Sequence, residues 1–105
     1  MMIDELQLGP VNFAKILADD TRQRIMALCC CRWVSVSELQ QQLKVSQPTV
    51  SHHLSVLREA NLVQARSEGR QVFYRLSQDR VVNCCENLIV RFTTDPQSPE
   101  DAGLE

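Results

Sequence analysis

Glycine is scarce in this 105-residue chain, with three in all. A phosphate-cradling loop of closely spaced glycines therefore has no place in it, which removes the nucleotide-binding folds that depend on one. Histidine is scarcer still: His52 and His53 are the only two, and they are adjacent. No nucleophile–base–acid set emerges from that stock, and a Cys–His pairing must draw on histidines that have another use below, so no enzyme is expected. No apolar run approaches the roughly 18 residues of a membrane span. Asp4 and Glu5 stand where a secretory leader carries positive charge. The expected address is the cytoplasm, without membrane contact. An excess of one charge is also missing, since 11 Lys and Arg face 13 Asp and Glu for a net −2.

What is present is ordinary globular usage, 44% apolar and 23% charged, at a length that fits one domain. So small a core points toward a dimer as the folded unit. The charge is unevenly spread. Between Lys44 and Arg75 five basic residues (Lys44, Arg58, Arg66, Arg70, Arg75) outnumber Glu59 and Glu68, and the acidic residues gather at the two ends. A locally basic middle is what a phosphate-facing surface requires.

The chain punctuates into short helices and one hairpin. Pro10 opens a helix carrying Phe13, Ile16 and Leu17. Asp19 or Asp20 caps a second, with Ile25, Leu28 and Cys29 at helical spacing. Trp33-Val34-Ser35 favours an extended stretch, and Ser35 or Ser37 caps a third helix through Leu39 and Leu43. Ser46 caps a fourth, with Pro48 just inside it and Val50, Leu54 and Leu57 as its apolar side. Asn61-Leu62 ends the helices. Alternating residues around Ser67-Glu68-Gly69-Arg70 then predict an antiparallel hairpin. A last helix from about Gln78 to Phe92 places Val81, Cys85, Leu88 and Phe92 on one face. Residues 1–92 are expected to form the folded domain. Residues 93–105, with two prolines and four acidic residues, form an acidic disordered tail.

Two short helices, a tight turn and a polar-faced second helix form a helix-turn-helix candidate, whose second helix enters the major groove. Gln47, Thr49, Ser51 and His52 offer short donors and acceptors to base edges and phosphates. His53, at the edge of the apolar face, serves either as a DNA contact or as a buried hydrogen-bonding group. Arg66, Arg70 and Arg75 on the hairpin stand ready to grip the backbone.

These segments resemble a known family. Leu17-Ala18-Asp19-Asp20-Thr21-Arg22, Ser35-Val36-Ser37-Glu38-Leu39, Ser46-Gln47-Pro48-Thr49-Val50-Ser51-His52-His53-Leu54 and Leu57-Arg58-Glu59-Ala60 look like the ArsR/SmtB-type bacterial repressors. Glu68-Gly69-Arg70-Gln71-Val72 and Tyr74-Arg75-Leu76 resemble that family's wing, and the likeness runs from about residue 13 to 92. The resemblance implies a mainly α winged helix-turn-helix with a β-hairpin wing. It implies a homodimer paired through its first and last helices, and a double-stranded operator released when ligand binds. A dimer sets its recognition helices about one DNA turn, ~34 Å, apart. Gln47, Thr49, Ser51, His52, His53 and Arg70 are the expected DNA contacts.

The sequence departs from that family at its ligand sites. Arsenic- and cadmium-sensing members often carry Cys-Val-Cys where this chain has Ser35-Val36-Ser37. Zinc-sensing members use carboxylates and histidines on the last helix, which here has Asp79 and Glu86 but no histidine. Thiols remain: Cys29, Cys30, Cys31, Cys84 and Cys85. Adjacent cysteines make poor disulfide partners, and in a reducing compartment thiol clusters suit soft ions or redox chemistry. The expected inducer is As(III) or Sb(III), held by Cys84 and Cys85 with one thiol of the 29–31 run from either subunit. A Cd or Pb sensor, and a redox or reactive-sulfur switch of the same fold, are the alternatives. A thiol-rich metal carrier is the rival of a different class, and it needs cysteines on an exposed loop.

Overall fold

A computed structural model describes residues 8–95 and Gln97. Asp4, Glu5 and most of the segment expected to form an acidic tail lie outside the described residues. Five helices and three strands follow in the order α1 (Pro10–Leu17), α2 (Asp20–Leu28), β1 (Val34–Ser35), α3 (Val36–Leu43), α4 (Gln47–Glu59), β2 (Val63–Glu68), β3 (Gln71–Leu76) and α5 (Gln78–Thr93).

Helix starts sit where short polar side chains can take up the free N–H groups of a first turn. Asp19 Oδ1 accepts from Arg22 N at 3.0 Å, Ser35 Oγ from Glu38 N at 3.1 Å, and Ser46 Oγ from Thr49 N at 3.3 Å. Each such cap contributes about 1 kcal/mol. Pro10 and Pro48 occupy first-turn positions where a missing N–H costs nothing. Helix α4 ends in a Schellman turn: Asn61 has φ +61°, Asn61 N donates to Arg58 O and Leu62 N donates to Leu57 O, both at 2.9 Å. Asparagine takes the left-handed position usually given to glycine.

The turn between α3 and α4 also demands a left-handed residue, and there it is Lys44, at φ +58°. A lysine has no side-chain compensation for that geometry. Lys44→Gly is therefore expected to raise the urea midpoint at unchanged m, by about 0.5–1 kcal/mol. A loss of stability would mean that the lysine stem packs more than its conformation costs.

The hairpin forms as expected, but it is joined by a third strand. β1 pairs antiparallel with β3, Val34 opposite Tyr74, giving the order β1-β3-β2. β2 and β3 run in register from Val63 opposite Leu76 to Glu68 opposite Gln71, closed by Gly69 (φ +62°) and Arg70. Glycine at the first loop position supplies the positive φ that a two-residue hairpin requires.

Phe13, Ile25, Val34, Leu39, Val50, Leu54, Leu57 and Leu62 are fully buried in one core, so helices α1 to α4, strand β1 and the turn after α4 each commit a large side chain to it. Helix α5 meets this core with Val81, Cys84, Cys85 and Leu88. Of the expected face of Val81, Cys85, Leu88 and Phe92, the first three pack on the core; Phe92 does not, and Cys84 takes a place beside them. Cys84 is the buried cysteine of the pair, and Phe92 is 77% exposed. The helix is apolar along two adjacent stripes, and a spacing pattern alone cannot say which of them meets the core.

Candidate nucleic-acid interface and thiol clusters

Helices α3 and α4 with the Lys44 turn build the helix-turn-helix, and the Ser46 cap sets where α4 begins. Thr49 reinforces that cap, its Oγ1 lying 2.9 Å from Ser46 Oγ. The exposed face of α4 carries Gln47, Thr49, Ser51 and His52. Between this face, the start of α3 and the wing runs a cleft of about 320 Å³, lined among others by Ser37, Gln40, Gln47, Ser51, Arg70 and Tyr74. Three of the six expected DNA contacts, Gln47, Ser51 and Arg70, thus converge on one polar groove. Ser37, Gln40 and Tyr74 join them unannounced, because only the fold brings α3 and the wing alongside α4.

The three wing arginines divide. Arg70 sits at the exposed tip and Arg75 is exposed on β3. Arg66 is otherwise engaged: its guanidinium stacks 4.5 Å over the Trp33 ring and pairs with Glu68 at 3.4 Å. The stack on Trp33 ties β2 to the residue before β1, and the Glu68 pair lies within β2 itself, so Arg66 belongs to the wing's framework.

His53 takes the buried one of its two sequence roles. It is 9% exposed and turned toward α2, which corrects its placement among the DNA contacts. Arg22 NH1 lies 3.1 Å from His53 Nδ1. A guanidinium can only donate, so Nδ1 accepts and the ring proton sits on Nε2, facing Asp19 Oδ1 at 3.9 Å. Arg22 Nε donates in turn to Ile16 O at 2.9 Å. One side chain therefore joins the end of α1, the start of α2 and the middle of α4. The Arg22 backbone N–H, and then the Arg22 charge, hold the Asp19 carboxyl below its ordinary value of 3.8 against the opposing effect of burial.

The five thiols differ sharply in surroundings. Cys29 closes α2, is fully buried, and its backbone oxygen accepts from Leu76 N at 2.9 Å. Burial pushes its thiol up to about 11 despite the nearby Arg32, which makes it a protonated core group at neutral pH. Cys30 is half-buried and Cys31 exposed. Cys84 is 5% exposed, its thiol also raised by burial, with the Arg80 charge acting the other way. Cys85, one residue on, is half-buried. Among the described residues of one protomer no group of three His, Cys, Asp or Glu side chains is placed to hold a metal ion. Where the resemblance puts a Cys-Val-Cys site, Ser35 Oγ is spent on the α3 cap.

Helix α5 leaves a second apolar stripe in solvent. Val82, Ile89 and Phe92 recur at helical spacing with Val90 beside them, all more than half exposed, and Val11 of the neighbouring α1 is exposed as well. Cys85 lies at the edge of this stripe, half-buried against the core and about 100° round the helix from Cys84. No helix among the described residues is long and apolar enough to cross a membrane.

Known proteins with the same features place the chain. Residues 19–65 match the family described as bacterial regulatory protein, arsR family. A biofilm growth-associated repressor of Agrobacterium fabrum is 40% identical over 78 residues, spanning 74% of this chain and 67% of that protein. The arsenic resistance transcriptional regulator ArsR1 of Pseudomonas putida is 44% identical over 73 residues, spanning 69% of this chain and 56% of the relative. Among solved structures, reduced HlyU from Vibrio cholerae superimposes with a TM-score of 0.63 at 32% identity, covering 79% of this chain and 86% of that one. A possible transcriptional regulator for arsenical resistance gives 0.67 at 32% identity over 77% and 83%. With its helix-turn-helix, its wing and these relatives, the chain belongs to the ArsR family of DNA-binding transcriptional regulators, and is not an enzyme.

Proposed function

We propose that this chain is a dimeric repressor that leaves its operator when a thiophilic ion, As(III) or Sb(III), is bound by Cys84, Cys85 and one thiol of the 29–31 run from the second copy. The observation that carries this reading is the position of Cys84 and Cys85. They straddle the boundary between the core-facing stripe of α5 and its exposed apolar stripe. Two large apolar side chains on that exposed stripe call for a partner surface, and a second copy offers the same one. An ion at Cys85 then sits at the seam that sets the distance between the two recognition helices. Trivalent arsenic favours three thiolates, and the absence of a third ligand within one protomer's described residues makes the second copy the natural donor. The relative named for arsenic resistance supports the same choice. The protein is proposed to act in the cytoplasm, where such thiols stay reduced.

That same missing third ligand favours a second reading, a thiol switch without a metal. Two thiols then give two protons and two electrons to a peroxide, which leaves as water, and a disulfide forms. Counting free thiols separates the two. Arsenite added to the reduced protein is expected to shield three thiols per ion bound, with recovery on chelation by a dithiol. Loss of two thiols to peroxide, with none shielded by arsenite, would favour the redox switch and contradict the proposal.

On the DNA side, Arg70 is proposed to hold a phosphate beside the groove read by Gln47, Thr49, Ser51 and His52. Arg70→Ala is expected to weaken binding to all sequences alike and to lower the slope of log K against log salt by about one. An unchanged slope would remove Arg70 from the interface.

A further inference from the structure

The recognition helix is fastened at its far end by a second arginine, from α5. Arg80 donates to the carbonyl oxygen of Ala60 from both Nε (3.2 Å) and NH2 (3.1 Å). Ala60 is the C-cap of α4, at the end where helical carbonyls have no partner within the helix. Beside this fork Ser77 N donates to Leu62 O at 2.9 Å. The start of α5 and the end of the recognition helix are thus tied side chain to backbone and backbone to backbone. Arg80 lies one helical turn before Cys84, on the same side of α5, and its charge reaches the Cys84 sulfur.

Successive residues on a helix diverge by about 100°. Cys84 is buried in the core, and Cys85, half-buried at the core's edge, lies that far round the helix from it. Closure of the pair requires Cys84 to swing out of the core or the turn from Arg80 to Cys84 to unwind. Unwinding moves the turn that carries the Arg80 fork, and a Cys84 side chain drawn out of the core pulls on that same turn. The apolar contacts of α4 with the core can adjust by sliding, whereas a two-donor fork on one carbonyl is either made or broken.

We propose that Arg80 is the positioning residue that carries the state of the Cys84–Cys85 pair to the recognition helix. With the pair empty, its fork on Ala60 holds α4 in register with α5; with the pair closed on a thiophilic ion, the fork is drawn off and α4 shifts relative to its twin. This rests on the thiol-sensing reading above and names the link by which that site acts.

The test uses the full-length reduced protein, sodium arsenite, and a fluorescein-labelled duplex from the region upstream of the protein's own coding sequence. Arsenite binding is followed by thiolate–arsenic absorption, and DNA release by the ratio of Kd with and without arsenite. Arg80→Met keeps the apolar stem and removes both donors. It is expected to bind arsenite like the wild type while its release ratio falls below about threefold, at the bottom of the range of allosteric coupling. Arg80→Lys, with a charge and one donor, is expected to recover part of the ratio. A wild-type release ratio in Arg80→Met overturns the proposal. If Arg80→Met does not fold, Arg80→Gln gives the same reading with one amide donor in place of the fork: an intermediate ratio supports the link and a wild-type ratio overturns it. Failure of the thiol reading itself shows first in the wild type, as arsenite that does not bind or that binds and leaves the DNA held, and the proposal falls with it.

Discussion

Arg22→Met is expected to destabilise the fold by about 2–4 kcal/mol, because it orphans two acceptors at once. The Ile16 carbonyl loses Arg22 Nε, and His53 Nδ1 loses NH1, in a region only partly open to water. The Asp19 cap survives, since the N–H that it accepts belongs to the backbone of residue 22. The substitution therefore isolates the side chain. Against a total of about 5–10 kcal/mol for a domain of this size, the loss is a large share. His53→Gln keeps an acceptor in reach of Arg22 and is expected to cost less than His53→Leu. The double variant Arg22→Met/His53→Leu is expected to cost less than the two single changes added together, since no imidazole nitrogen is then left unpaired. Urea unfolding at one fixed protein concentration measures all four, the concentration mattering because assembly would raise apparent stability. A cost below about 0.5 kcal/mol for Arg22→Met would mean that water replaces the guanidinium freely and that the junction of α1, α2 and α4 is held by packing alone.

Replacing the α5 cysteines is expected to have the largest effect on function. Cys84→Ser with Cys85→Ser removes two of the three proposed ligands, and hydroxyls are poor donors to a soft ion. Operator affinity is expected to stay within about threefold of wild type, because neither thiol faces the groove, while release by arsenite disappears; the coupling at stake is about 5- to 150-fold in Kd. The serine at position 84 places a hydroxyl where burial is nearly complete, but the helix offers it the carbonyl one turn back, so the variant is expected to fold. Cys29→Ala is the matching control. Its thiol, pushed up to about 11 by burial, is expected to matter for packing and not for release. Full release by arsenite in the double serine variant would take the site away from α5 and leave the 29–31 run as the sensor.

The parts of this molecule legible in its sequence are those written in local chemistry. Asp19, Ser35 and Ser46 mark helix starts because a cap is a residue next to its own helix, Asn61 marks where the helices end, and Gly69 marks the hairpin turn. Strand β1 was legible only as an extended stretch, since a two-residue strand exists by virtue of its partner and Val34 meets Tyr74 forty residues away in sequence. The two arginine fasteners left no sequence signal of their own. Arg22 reaches the Ile16 carbonyl and Arg80 a backbone oxygen twenty residues earlier, and a backbone acceptor has no side-chain pattern to betray it; the imidazole that Arg22 also meets lies on another helix, far along the chain. His53 was ambiguous because it borders the apolar stripe, and only the facing guanidinium decides its direction. The cysteines were conspicuous as adjacent runs. In the first run the helical spacing of Ile25, Leu28 and Cys29 already points Cys29 to the core; in the second, which thiol is the more buried depends on how α5 is rotated about its axis, and an apolar surface on two sides conceals that.

The central claim is that a thiophilic ion releases this regulator from DNA. Fluorescence anisotropy of the reduced wild-type protein on duplex DNA from upstream of its own coding sequence, titrated with arsenite, tests it most directly. The predicted result is tight binding without arsenite and a fall in affinity of at least about fivefold with it, restored by a competing dithiol. Binding that stays unchanged through saturating arsenite would contradict the account.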